Sequence, residues 1–95
     1  MPQGGRMEIA MKKFSYIIKD EIGIHARPAG LLVKEAKQFN SEIMLSVKDK
    51  KVDMRKLMAL MALGVKTGDE VTVTAEGDDE DVAIAKFEGF FKANL

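Results

Sequence analysis

Hydrophobic and polar residues alternate with two different periods along this chain, and the period predicts the type of each element. Stretches that alternate apolar with polar residues, or are rich in β-branched and aromatic residues, are typical of strands, whereas apolar residues three or four positions apart are typical of amphipathic helices. The predicted strands cover residues 13–19, 41–47, 52–54 and 70–75. The predicted helices cover residues 28–39, residues 55–63 and a final segment that follows Gly77-Asp78.

These elements follow one another in the order β-α-β-β-α-β-α, which predicts the fold. We expect an α+β open-faced β-sandwich, in which a four-stranded antiparallel sheet has three helices on one face. The clearest alternation lies at residues 70–75, where Val71 and Val73 should face inward and Thr72 and Thr74 outward. In the final helix, the apolar residues expected to lie across the sheet are Val82, Ile84, Ala85, Phe87, Phe90 and Phe91.

The first ten residues, MPQGGRMEIA, show neither period and contain a proline and two glycines. They predict an N-terminal extension at residues 1–10, disordered or vector-derived, followed by one domain at residues 11–95. A chain of 95 residues that is 46% hydrophobic has enough apolar material for one core. Its apolar stretches are shorter than the ~18 residues that a membrane span needs, and its N-terminus lacks the apolar core of a secretion signal. We therefore expect a cytoplasmic protein.

The composition restricts the available chemistry. The chain has no cysteine, which excludes disulfides, thiol nucleophiles and zinc-thiolate sites, and its single histidine excludes a multi-histidine metal site. Chemistry must use one imidazole together with carboxylates, hydroxyls or amines.

Fifteen basic residues balance fifteen acidic ones, but the charges are unevenly distributed along the chain. Residues 25–66 contain nine basic and four acidic residues, a local charge of +5, and residues 67–95 contain two basic and eight acidic residues, a local charge of −6. The overall balance disfavours a nonspecific polyanion or an anionic membrane as partner. The uneven distribution suits a partner that approaches from one side, although for a domain of unknown function it is more common that both sets are solvated surface without a partner.

The segment GIHARPAG at residues 23–30 contains the candidate chemistry. A lone histidine is more often structural, but His25 lies between a glycine-containing loop and Pro28, a residue tolerated in the first turn of a helix. Unpaired amides and the helix dipole at such a position favour an anion, and Arg27 can hold two phosphoryl oxygens. This combination suits accepting a phosphoryl group and passing it on. It does not suit hydrolysis, because the local sequence offers no obvious general base.

These residues resemble the HPr family, the histidine-containing phosphocarriers of the bacterial phosphoenolpyruvate-dependent sugar phosphotransferase system. The resemblance rests on GIHARPA at residues 23–29, LMALMALG at 57–64 and GDEVTVTAEG at 68–77, and it extends from residue 11 to the C-terminus. It implies a phosphocarrier rather than an enzyme, with no metal and no cofactor of its own. It also implies that His25 is phosphorylated through Nδ1, that Arg27 assists, and that Ala26 and Arg27 bind the phosphoryl group at the helix N-terminus.

The resemblance further implies partners and a docking surface. Enzyme I would donate the phosphoryl group, sugar-specific IIA domains would accept it, and the carrier would be a monomer. If Leu60 and Leu63 face the core, the other apolar residues of the short helix cannot all do so, and methionines repack easily against different partners. The predicted apolar docking residues are Leu57, Met58 and Met61. The basic residues expected at their rim are Arg27, Lys34, Lys37, Arg55, Lys56 and Lys66.

Two residues depart from the family pattern. In many Gram-positive relatives the short helix opens with a serine that an ATP-dependent kinase phosphorylates, and Lys56 stands at that position here. Ser46 lies in the second predicted strand and does not replace it. We therefore expect a carrier without serine-kinase control. Gly30 stands where relatives often have a small polar residue, which bears on partner preference.

Two other functions remain open at this stage. One is a related phosphocarrier of a nitrogen-related or regulatory relay, with different Enzyme I and IIA partners. The other is a small interaction module or nucleic-acid binder in which His25 is structural. Phe39 is the only aromatic residue in the basic middle, so no base-stacking platform is evident. We expect neither nucleic-acid binding nor membrane insertion.

Overall fold

The structure is a computed structural model, and it describes residues 11–95. The predicted extension at residues 1–10 lies outside the described residues. The elements are β1 (Met11–Ile17), α1 (Ala26–Ala36), β2 (Glu42–Val47), β3 (Lys50–Asp53), α2 (Leu57–Ala62), β4 (Glu70–Glu76) and α3 (Glu80–Asn94). Their order confirms the predicted β-α-β-β-α-β-α arrangement. No helix within residues 11–95 is long and apolar enough to cross a bilayer.

The four strands form one antiparallel sheet in the order β1-β4-β2-β3. Strand β4 lies inside the sheet, where Val73 is opposite Phe14 of β1 and Leu45 of β2. The predicted alternation of β4 is confirmed, because Val71 and Val73 are fully buried and Thr72 and Thr74 are partly exposed. The helices cover the apolar face, and the opposite face has polar residues such as Ser15, whose hydroxyl is hydrogen-bonded to that of Thr72 at 3.0 Å.

Helix α3 contributes large side chains to the core between the sheet and the helices. Ala83, Phe87 and Phe91 are fully buried and lie four residues apart, so they form one stripe along the helix. The prediction that Val82 and Ala85 face the sheet was wrong, since both are exposed. Each lies off the stripe that Ala83 begins, because successive helical residues are rotated by about 100°.

Two helices differ in length from the sequence prediction. Helix α1 begins at Ala26, before the predicted residue 28, because Pro28 occupies a first-turn position that needs no N–H donor. It ends at Ala36, and the next residues form a turn in which Phe39 N–H donates to the Ala36 carbonyl. Helix α2 is shorter than predicted at both ends, with Lys56 as its N-cap residue and Leu63 as its C-cap residue.

Candidate functional site

His25 is the N-cap residue of α1. Its backbone is extended (φ −115°, ψ −168°) and its side chain makes no capping hydrogen bond. The imidazole is partly exposed, so it is accessible to a partner. The position predicted for His25, at the start of a helix, is therefore confirmed.

The amides that follow His25 are suited to an anion. The first N–H groups of a helix have no carbonyl one turn earlier to donate to. In α1 these groups belong to Ala26 and Arg27, because Pro28 has no N–H and Ala29 donates to the His25 carbonyl at 2.9 Å. The positive end of the helix dipole lies at the same place. Both predicted phosphoryl-binding positions thus lie beside the imidazole.

A groove of about 310 Å³ surrounds His25. It is lined by Asp20, His25, Arg27, Pro28, Leu31 and Asn94. The structure therefore brings the predicted pair His25 and Arg27 together. Sequence reasoning did not assign Asp20, Leu31 or Asn94 to the site. Leu31 could have been found, because it lies one turn after Arg27 on the same helix face, whereas Asn94 is distant in sequence and only the fold brings it near.

The loop before His25 is held at several points. Oδ2 of Asp20 accepts the N–H groups of Ile22 (3.0 Å) and Gly23 (3.2 Å). The N–H of Ile24 donates to the carbonyl of Val65 at 3.1 Å, and the Ile24 side chain is buried. His25 therefore follows a segment with defined geometry, which connects it to the residues after α2.

The three apolar residues predicted for docking lie at the surface. Met58 is 75% exposed, Leu57 39% and Met61 38%, whereas Leu60 on the other side of the helix is fully buried. Helix α2 packs against α1 and β3. None of these side chains lines the groove, so they form a separate apolar patch on the helix next to α1. We call Leu57, Met58 and Met61 the α2 patch.

The basic residues predicted around this patch do not all have the same role. Lys34, Lys37, Lys56 and Lys66 are exposed. Arg55 is only partly exposed, and its Nη2 donates to the carbonyls of Phe39 (3.2 Å) and Ser41 (2.8 Å). Arg55 therefore has a structural role in addition to the predicted rim charge, because its guanidinium joins the segment before α2 to the loop after α1.

Within the part of the chain that the structure describes, no three His, Cys, Asp or Glu side chains are grouped so that they could hold a metal ion. The site consists of one imidazole, one guanidinium, two helix-terminal amides and a carboxylate. A family model described as the phosphorylation site of the phosphotransferase-system HPr component matches residues 12–93. The chain belongs to the HPr family.

Known HPr proteins are similar to this chain over most of its length. The phosphocarrier protein HPr of Mycoplasma capricolum subsp. capricolum is 47% identical over 74 residues, which are 78% of this chain and 83% of the relative. The solved structure of a mycoplasma histidine-containing phosphocarrier superimposes with a TM-score of 0.81 at 43% identity, covering 83% of this chain and 90% of that one. The HPr-family resemblance is therefore confirmed.

Two further structures define the fold. HPr from Thermoanaerobacter tengcongensis matches with a TM-score of 0.82 at 40% identity over 86% of this chain and 92% of that one. Crh from Bacillus subtilis, which forms a domain-swapped dimer, matches with a TM-score of 0.70 at 35% identity over 100% of this chain and 98% of that one. The open-faced sandwich is thus the HPr architecture, and the chain is an HPr-type phosphocarrier of the phosphotransferase system.

Proposed function

We propose that His25 accepts a phosphoryl group from Enzyme I of the phosphoenolpyruvate-dependent sugar phosphotransferase system and passes it to sugar-specific IIA domains. The observation that supports this most directly is the position of the imidazole, at the N-terminus of α1 in a groove shared with Arg27. The carrier is itself the substrate of both transfers, so it turns over without being an enzyme in the usual sense. It acts in the cytoplasm.

In the first transfer, the lone pair on Nδ1 of His25 attacks the phosphorus atom of the group held by Enzyme I. The N–P bond forms as the bond between phosphorus and the donor breaks, and the bonding electrons return to the donor. In the second transfer, the N–P bond of His25 breaks toward the acceptor and its electrons return to the imidazole. The proton on Nε2 stays in place, and neither step consumes water.

The residues after His25 stabilise the transferred group. Nδ1 is the ring nitrogen nearer the backbone, so a phosphoryl group there lies toward the amides of Ala26 and Arg27. The guanidinium of Arg27 can bind two equatorial oxygens, and it is exposed enough to follow the group as it moves between proteins. Fixed donors of this kind stabilise the charge that spreads over the phosphoryl oxygens during transfer.

Docking uses the α2 patch with Lys34, Lys37, Lys56 and Lys66 around it. Exposed methionine side chains adapt to differently shaped apolar surfaces, which suits a carrier that meets several partners. The lysines orient acidic partners during approach. A carrier that presents this same face to each partner acts as a monomer.

The test is to incubate the full chain with phosphoenolpyruvate, Enzyme I and magnesium. We expect an acid-labile, base-stable phosphoryl adduct on wild-type protein and none on His25→Ala, because an N–P bond to imidazole has that stability pattern. Circular dichroism of His25→Ala serves as the folding control, since the side chain makes no capping bond. Absence of label on wild type, or undiminished label on His25→Ala, would contradict the proposal.

Control by phosphorylation of a serine is a separate question for this carrier. Lys56 is the N-cap residue of α2 and occupies the position of the regulatory serine in Gram-positive relatives. Ser46 lies within β2, opposite Lys51 of β3 and Thr72 of β4. We propose that the ATP-dependent serine kinase does not act on this carrier.

A further inference from the structure

The turn that leads to His25 is closed by a single carboxylate. Both hydrogen bonds of the Asp20 side chain end on Oδ2, which accepts the N–H groups of Ile22 and Gly23. Asp20 is partly buried and also lines the groove that contains His25. This residue is therefore part of the site by its position and part of the turn by its hydrogen bonds.

The backbone of Asp20 is itself anchored to other parts of the fold. Its N–H donates to the carbonyl of Leu95 at 2.7 Å, and its carbonyl accepts the hydroxyl of Thr67. Just before it, the N–H of Ile18 donates to the carbonyl of Asp69 at 3.0 Å. Asp20 is thus a fixed point from which the turn begins.

The far end of the turn rests on Val65. Gly23 has a positive φ of 88°, and its backbone lies so close to Val65 that a Cβ atom there would be 2.3 Å from the Val65 carbonyl oxygen. The next residue, Ile24, donates its N–H to the same oxygen. The segment before His25 is therefore held between the Asp20 carboxylate on one side and the Val65 carbonyl on the other.

His25 depends on this segment for its placement. The imidazole makes no capping bond to the helix. Catalysis of phosphoryl transfer is mainly positioning and charge stabilisation, and a displacement of about 1 Å can slow such a reaction by about a hundredfold. A looser turn would let the ring sample positions that are out of line with the donor.

We propose that Asp20 is a positioning residue for phosphoryl transfer at His25, and that it acts through its two hydrogen bonds to the turn. The inference rests on the proposed function of His25. Charge alone predicts the opposite effect, because a carboxylate in the groove repels a phosphoryl group, and its removal should speed transfer. The direction of the rate change therefore distinguishes the two roles of this side chain.

Two variants separate the hydrogen bonds from the charge. Asp20→Asn keeps an oxygen of the same shape that can accept both N–H groups, and it removes the charge. Asp20→Ala removes both the hydrogen-bond acceptor and the charge. We measure phosphorylation of each full chain by Enzyme I and phosphoenolpyruvate as a function of carrier concentration. For Asp20→Ala we expect kcat to fall roughly tenfold and KM to change less than about twofold, because the α2 patch is untouched.

Rescue by the conservative variant is the decisive readout. We expect Asp20→Asn to retain at least about half of the wild-type kcat, since an amide oxygen accepts the same hydrogen bonds. Asp20→Glu keeps the charge and moves the acceptor by one methylene, and we expect it to be slow like Asp20→Ala. This second variant keeps the test available if the alanine variant does not fold.

Asp79→Ala is the matched control. The carboxylate of Asp79 accepts the N–H groups of Asn40 (2.8 Å) and Ser41 (2.9 Å), bonds of the same kind at the start of α3, and Asp79 does not line the groove. We expect it to lower thermal stability at least as much as Asp20→Ala and to leave kcat at the wild-type value. A general loss of rigidity would slow both variants.

The possible results are distinguishable. The inference about Asp20 is overturned if Asp20→Ala is phosphorylated as fast as wild type, if Asp20→Asn is as slow as Asp20→Ala, or if Asp79→Ala loses as much activity. If wild-type protein takes no label, the proposed function of His25 fails instead.

Discussion

Gly23 is the residue near the site with the strictest steric requirement. Its positive φ is unfavourable for residues with a side chain, and a Cβ would also approach Lys66 Cα to 2.7 Å. The three nearest neighbours of that Cβ are all backbone atoms, which cannot rotate away as a side chain could. A single hydrogen atom in place of a methyl group thus allows the His25 loop to lie against Val65.

Gly23→Ala is expected to lower the free energy of unfolding by about 3 kcal/mol or more, because positive φ and backbone overlap act together. Gly68 also has a positive φ, 89°, but open space around the Cβ position. Gly68→Ala should therefore cost only about 1–2 kcal/mol. Urea denaturation of both variants measures the difference, and equal losses would show that contact with Val65 is unimportant.

Gly30 completes this comparison inside α1. Its Cβ position has no atom within 4 Å, and its φ is ordinary. Gly30→Ala should raise the free energy of unfolding by up to about 1 kcal/mol, since alanine is the better helix former. At the residue scale, then, the effect of alanine has a different cause at each glycine. The causes are positive φ with backbone overlap at Gly23, positive φ alone at Gly68, and helix propensity at Gly30.

At the scale of elements, Asp79 joins the turn before α3 to the loop after α1. Its carboxylate accepts the hydroxyl of Ser41 at 2.5 Å and the N–H groups of Asn40 (2.8 Å) and Ser41 (2.9 Å). The hydrogen bond from the Ser41 hydroxyl, followed by that from the Asn40 N–H, holds the pKa of Asp79 below its ordinary value. Ser41 in turn presents its carbonyl to Arg55, which precedes α2.

This connection makes stability depend on pH. A folded-state pKa below the unfolded one stabilises the fold above the unfolded pKa, and that stabilisation is lost as pH falls through the folded pKa. We expect Asp79→Asn to be less stable than wild type at pH 7 and the two proteins to converge as the pH is lowered below about 4. Urea denaturation from pH 7 to pH 2.5 measures this convergence.

Asp78→Asn is the matched control for Asp79→Asn. Asp78 is the preceding residue, and its side chain is exposed. Its substitution should leave stability close to that of wild type at pH 7. A constant difference between wild type and Asp79→Asn at every pH would contradict a role for the Asp79 charge.

At the scale of the whole molecule, charge is unevenly distributed along the chain. The basic middle of the chain contains α1 and α2, and the acidic end contains β4 and α3. The zero net charge therefore conceals a basic segment of the chain that includes His25 and the α2 patch. We expect an acidic partner to be attracted to that segment and not to the acidic end.

The same substitution on two helices tests which face docks. Met58 on α2 and Val82 on α3 are both highly exposed, at 75% and 64%, so glutamate at either position should leave the fold intact. We expect Met58→Glu to lower kcat/KM for phosphorylation by Enzyme I about tenfold, because it places a charge in the apolar patch. Val82→Glu should change it less than about twofold. Comparable losses for both variants, or none for Met58→Glu, would place docking elsewhere.

Local sequence patterns were sufficient to predict much of the site, because its main residues are close in sequence. His25, Arg27 and Pro28 lie within one helical turn, so the helix start alone brings them together. The exposed side of α2 also follows from helical periodicity, since Leu60 takes the buried side. No local pattern indicates a role for Asp20, because that role depends on where the following backbone N–H groups point.

Contacts between distant segments could not be predicted from these patterns. The sequence predicts Arg55 as a surface charge. Its guanidinium binds two carbonyls because the fold brings the loop at residues 39–41 next to it. Val82 and Ala85 were assigned to the buried side of α3, because a helix with apolar residues on several sides does not specify which side meets the sheet. Packing against the sheet determines which side of α3 is buried, and the buried residues are Ala83, Phe87 and Phe91.

By itself the sequence determined the element order, the alternation of β4 and the chemistry available at His25, since these depend on side-chain periodicity and on neighbours within a few residues. The tertiary structure alone decided which carbonyl supports the turn before His25 and how Asn94 reaches the groove. These contacts join segments about 40 to 70 residues apart. Their geometry depends on how strands and helices pack, and no local pattern specifies that packing.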